Sequence, residues 1–249
     1  MRVTEILKKN SRKKVEYINA APGGYTTFES YDRLWNRIRF FSPDIIVVYH
    51  GWNEMYYFNK REIIFWKTLP DGSWRFDRAP RLAAYEPYWI DHMLRYSQLL
   101  TKIRLKMSTP LNGEIGLPQE LKDDYDRKGL DIFRTNLRLI KEAASIFNAK
   151  LFVAKQATLV VPDLGEDYRK RCNYNYHGFD HDAHVEAFNQ IYRIIDEEID
   201  PEEIIDVTRL SGVSDYFYDH KHPTELGAMK IARIVAEPLQ PQIIVLEDK

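Results

Sequence analysis

Four short apolar runs, set apart by stretches with helical periodicity, limit most tightly what this chain can fold into. The runs are VEYINA (15–20), DIIVVYH (44–50), AKLFVAKQ (149–156) and EIIDVT (203–208). Short near-continuous apolar segments of this kind suit strands buried in a parallel sheet. The pattern TFESYDRLWNRIRFF (27–41) follows the first run, GLDIFRTNLRLIKEAASIF (129–147) precedes the third, and HDAHVEAFNQIYRIIDEEI (181–199) precedes the fourth. A last helix is expected over about 224–236. Such alternation predicts an α/β fold, an open parallel sheet covered by helices on both faces. Ligands of such sheets bind at the carboxyl ends of the strands, so chemistry is sought just after each run.

At 249 residues, 44% of them hydrophobic, the chain can bury one sizeable core, and residues 1–249 are expected to form a single domain. One segment breaks the rhythm. Residues 55–128 separate the second run from the next helix and are rich in aromatics, among them Trp66, Trp74 and Trp89. An insertion of this length at a strand's carboxyl end predicts a lid or subdomain over the site. Within it EPYWIDHMLRYSQLLTKIRLKM (86–107) has the pattern of one amphipathic helix with a basic outer face. Between Met55 and Pro110 stand ten basic and five acidic residues, a balance that with the tryptophans could meet a membrane surface or a glycan. Packing on the core is the reading favoured for those aromatics.

With 36 basic and 37 acidic residues the formal charge is −1, so no global field draws the chain to nucleic acid. The single cysteine, Cys172, leaves no internal disulfide to form and is expected to be structural. The N-terminal MRVTEILKKNSRKK lacks the apolar stretch of a signal peptide, so the chain as written is expected to stay in the cytoplasm, with export or membrane anchoring of a longer parent left open. It has the look of the second half of a helix, with Val3, Ile6 and Leu7 on one face and a basic end. At the other terminus Pro238 and Pro241 are expected to end the last helix, leaving Ile243 to Leu246 as an edge strand.

Three stretches carry chemistry. NAAPGGYTT (19–27) follows the first run, and its paired glycines let the backbone approach a ligand ahead of a helix start. YHGWNEM (49–55) follows the second; Gly51 allows a sharp turn, and Asn53 presents an amide able to stabilise an oxyanion or to cap a short helix. His50 is expected to bond locally. YDHKHPTELG (218–227) follows the fourth, where Asp219 at i and His222 at i+3 can hydrogen-bond, which orients the imidazole and stabilises its protonated form. His220 is expected to face solvent, although spacing alone also allows a two-histidine metal site with Asp219.

In this order the three stretches resemble the SGNH hydrolases, also called the GDSL esterase/lipase family. The resemblance runs over about residues 1–236, interrupted by the aromatic insertion. It implies a flavodoxin-like three-layer α/β/α fold. It also implies an oxyanion hole from the Gly24 backbone N–H and the Asn53 side chain, with Asp219 orienting His222 as the base. Glu54 stands where the family has aspartate after the asparagine. The implied activity is hydrolysis of acyl esters, acetyl or short-chain, on a small molecule or glycan, with no metal or organic cofactor. Carbohydrate O-acetyl transfer and non-catalytic ligand binding are the alternatives.

The family's first block, a Gly-Asp-Ser or Gly-Gly-Ser turn bearing the nucleophile, occurs nowhere in the 249 residues. Ser30, Ser211 and Ser214 do not sit on a strand-to-helix elbow. The resemblance therefore implies a sheet missing its first strand, a chain cut short at its N-terminus relative to a longer parent, and no catalytic turnover without a serine.

Overall fold

The computed structural model describes residues 3–9, 11, 14–20, 24–58, 66–68, 74–76, 99, 121, 123–125, 127–174 and 177–247. The helix expected over 86–107 and most of the insertion expected over 55–128 lie outside the described residues. In chain order the helices and strands are α1 (Val3–Lys9), α2 (Thr27–Asn36), β1 (Ile45–His50), β2 (Trp66–Thr68), β3 (Trp74–Phe76), α3 (Lys128–Ile146), β4 (Lys150–Lys155), α4 (Glu166–Arg169), α5 (His181–Glu198), β5 (Ile204–Asp206) and α6 (Glu225–Glu247).

The chain has an α/β fold with a three-stranded parallel sheet of order β1-β4-β5. β4 is central because its sequence suits burial on both faces: Leu151, Phe152, Val153 and Ala154 are all buried. Its register sets Ile45 opposite Lys150 and His50 opposite Lys155 on β1, and Val153 opposite Ile204 on β5. All three strands therefore deliver their carboxyl ends to one edge of the sheet. β2 and β3 form a separate antiparallel pair, with Trp66 opposite Phe76. Leu137 and Ile140 of α3 and Phe188, Ile191 and Ile195 of α5 complete the core around β4. α3 and α5 are further joined where Arg134 reaches Glu197 and Glu198, each at 2.5 Å, and Arg138 reaches Glu198 at 2.7 Å.

Caps fix where helices begin. Asp180 accepts the Ala183 N–H at 2.8 Å ahead of α5, and Thr224 accepts the Gly227 N–H at 3.1 Å ahead of α6. The helical reading of the N-terminus agrees with α1, whose Leu7 is buried while Val3 and Ile6 pack against the core.

Two sequence expectations are corrected. Residues 14–20 form no strand: Tyr17 and Ile18 are exposed, and only Val15 and Ala20 touch the core. A strand needs a hydrogen-bonding neighbour, and among the described residues the sheet ends at β1 with none beside 15–20. The tail is the second correction. α6 runs through Pro238 and Pro241 to Glu247, and Ile243 to Leu246 are helical rather than an edge strand. Each proline removes one helical hydrogen bond. Burial of Leu239 and Ile243, with α1 packed on the helix, holds the chain helical beyond both.

Candidate active site

β1 ends at His50, and Gly51 begins a tight turn of 3-10 helix, Trp52–Phe58. Space there is tight: a Cβ on Gly51 would stand 2.8 Å from Gln156 Oε1, the end of a flexible side chain, and 3.2 Å from the Phe188 ring. Gln156 follows β4, and its Oε1 accepts the Trp52 N–H at 2.6 Å, tying the two strand ends together. Asn53 then reaches the preceding loop, its Nδ2 donating to the Tyr25 carbonyl at 2.8 Å. An amide nitrogen carries two hydrogens, so a second remains for a ligand. Gly24, beside Tyr25, has φ +86°, the left-handed conformation that favours glycine, although space around it is open.

Beneath this loop lies a buried polar chain. Both Glu54 oxygens are held by Thr27, from its N–H at 2.7 Å and its hydroxyl at 2.9 Å, and Asn136 donates to the Thr27 hydroxyl at 3.2 Å. His50 Nδ1 stands 3.4 Å from Glu54, and His50 Nε2 meets the Ser30 hydroxyl at 2.8 Å. Ser30, His50 and Glu54 thus have the outline of a nucleophile, a base and an orienting acid. Burial argues against that use. It pushes Glu54 up to about 8, against the Thr27 hydrogen bonds that pull the other way, and pushes His50 down to about 4. At neutral pH both are uncharged, and an imidazole so reluctant to be protonated is a weak base.

The loop after β5 is built differently. Asp219 Oδ1 accepts the backbone N–H groups of Lys221 and His222, each at 2.9 Å, and its Oδ2 meets His222 Nδ1 at 2.7 Å. Burial raises the Asp219 pKa, but the bonds from His222 and the two backbone groups outweigh it and hold the carboxyl down at about 2. The His222 ring is therefore oriented by an ionised partner, and with its side chain 64% exposed Nε2 can take a proton from a ligand. The loop's shape is imposed by its neighbours. The His220 carbonyl accepts from the Leu159 N–H at 3.0 Å and the Thr158 hydroxyl at 2.8 Å, and Arg171 donates to the carbonyls of Phe217 and Tyr218.

The strand ends enclose a cavity of about 490 Å³ lined by Gly24, Tyr49, His50, Gly51, Trp52, Asn53, Gln156, Lys221 and His222. Gly24, Asn53 and His222 are thus brought to one space, with Asp219 behind His222. No family model, no curated protein and no solved structure matches this chain.

Among the described residues that line the cavity, none is serine, threonine or cysteine. Ser30 is engaged by His50, and the Ser211 hydroxyl accepts the Thr158 N–H at 3.2 Å. Ser214 lies in a 3-10 turn, with its carbonyl 3.5 Å from Arg171. Cys172 is buried, and burial raises its thiol pKa. His220 does not face solvent as the sequence suggested: it is 5% exposed and stacked on Trp52 at 4.1 Å between centroids. Its Nδ1 accepts the Asn173 N–H at 3.0 Å, so its proton is on Nε2. Among the described residues no group of three or more His, Cys, Asp or Glu side chains is placed to hold a metal ion, and no helix is long and apolar enough to cross a membrane. Sequence reasoning missed Gln156, Trp52 and Lys221. The position of Gln156 at the carboxyl end of the third run was the available signal for it.

Proposed function

We propose that this chain carries the base and the oxyanion donors of an SGNH-type serine esterase, acting on acyl esters of a small molecule or glycan. The observation that carries the reading is the 2.7 Å bond from Asp219 to His222 in a loop whose imidazole opens on the cavity that Asn53 and Gly24 also line. In this reading the sheet belongs to a flavodoxin-like three-layer arrangement, and residues 55–128 form a lid over the cavity. A serine placed beside β1, on the side with no strand among the described residues, would attack the ester carbonyl. His222 Nε2 would take the hydroxyl proton and return it to the departing alcohol, while the Gly24 N–H and the Asn53 amide hold the negative oxygen. Water, activated by the same histidine, would then release the acid.

The cavity lining, without serine, threonine or cysteine among the described residues, favours one second reading: a protein that binds such an ester without turning it over. The test is a version extended at its N-terminus by a strand and a Gly-Asp-Ser turn designed to pair with β1, assayed with p-nitrophenyl acetate. We expect hydrolysis that falls about a thousandfold with His222→Ala and roughly a hundredfold with Asn53→Ala. An extended chain that folds yet hydrolyses nothing, or whose turnover ignores His222→Ala, supports the binding protein.

A further inference from the structure

Gln156 stands where β4 ends, and the contacts that fix it decide which end of its amide meets the cavity. A backbone N–H can only donate, so the 2.6 Å contact from the Trp52 N–H settles the atom it meets as Oε1. That oxygen lies against the backbone of the turn: a Cβ on Gly51 would stand 2.8 Å from it. The NH2 group is the other end of the amide, on a half-buried residue of the cavity wall. The main chain around it is held as well. The Gln156 carbonyl accepts the Tyr192 hydroxyl at 2.5 Å, and the N–H of Ala157 donates to the Tyr49 hydroxyl at 3.3 Å.

The turn that Gln156 grips is the one that carries Asn53. Trp52, whose N–H it holds, directly precedes that asparagine. Asn53 is fixed through one of its own amide hydrogens, given to the Tyr25 carbonyl at 2.8 Å, and has a second to give. Two carboxamides from two strand ends, each tied to backbone, thus line one cavity together with His222. Donors fixed before a ligand arrives lose little side-chain freedom on binding it. The carbonyl oxygen of an acyl group has two lone pairs with which to accept from both.

We propose that Gln156 is a ligand-binding residue of this cavity, its NH2 group donating to the carbonyl oxygen of a bound acyl ester beside the Asn53 amide. This deepens the esterase reading and rests on it for the ester, whereas the orientation of the Gln156 amide rests on its contact with Trp52.

The test is binding, read without turnover, by NMR titration of the 249-residue chain with 6-O-acetyl-D-glucose, a neutral acetyl ester, and with D-glucose, the same sugar without the acetyl group. The side-chain NH2 signals of Gln156 should shift with the ester and stay in place with glucose. Gln156→Glu keeps an oxygen for the Trp52 N–H and removes the donor. It should weaken ester binding about fivefold, the order of one hydrogen bond, with the Trp52 N–H signal unmoved. An ester that shifts the Asn53 and His222 signals but not those of Gln156, or that Gln156→Glu binds as tightly as the parent, overturns the proposal and leaves the esterase reading standing. An ester that moves none of the three residues overturns both. Contact with Gln156 in a chain whose extended form hydrolyses nothing would count against the esterase reading alone.

Discussion

Glu54 is fully buried with both oxygens on Thr27, and burial raises its pKa from the ordinary 4.5 to about 8. The folded state thus holds a proton that the unfolded chain releases, so this residue's contribution to stability is full below pH 4.5 and is lost as pH rises towards 8. Glu54→Gln keeps an acceptor for Thr27 and removes the titration. We expect the variant to gain thermal stability relative to the parent between pH 5 and pH 8; a difference in melting temperature that does not change with pH would contradict the buried neutral carboxyl. Side-chain roles were legible in the sequence only where they are local. Asp219 and His222 are three residues apart in one turn, so their bond follows from spacing. The Ser30–His50 contact and the stacking of His220 on Trp52 join distant segments, and no spacing rule reaches them.

At the scale of elements, the loop that holds His222 depends on how α6 docks. A Cβ on Gly227 would lie 2.1 Å from the Tyr216 carbonyl oxygen, which also accepts the Thr224 N–H at 2.9 Å. Glycine in the first turn of α6 lets the helix lie directly on the segment that precedes Asp219. Gly227→Ala should cost at least ~2 kcal/mol in denaturant unfolding, because backbone rather than a flexible side chain must move. An unchanged unfolding midpoint would show that the helix does not dock this way. β1, β4 and β5 were legible as apolar runs because each pairs in the sheet, although only β4 is buried along most of its length, while β1 buries Val48 alone and β5 Ile205 alone. Residues 15–20 have the same local pattern but no neighbouring strand among the described residues, which is a property of the sheet and not of the run. The tail was misread for the opposite reason: two prolines signal a helix end locally, and the burial of Leu239 and Ile243 overrides them.

On the scale of the whole molecule, the sheet order carries the site. Parallel strands bring Gly51, Gln156 and, beyond β5, the Asp219 loop to one edge, and the cavity lies where they meet. That convergence was legible, because a parallel sheet has one carboxyl edge and the informative residues follow its strands. The esterase reading puts a base and oxyanion donors at this site, with no serine, threonine or cysteine among the described residues that line it. The direct measurement is hydrolysis of p-nitrophenyl acetate by the 249-residue chain beside its His222→Ala variant. We predict equal rates, both at the level of buffer. Turnover by the chain that disappears with His222→Ala would contradict the account, because a nucleophile would then have to reside among the residues it already has.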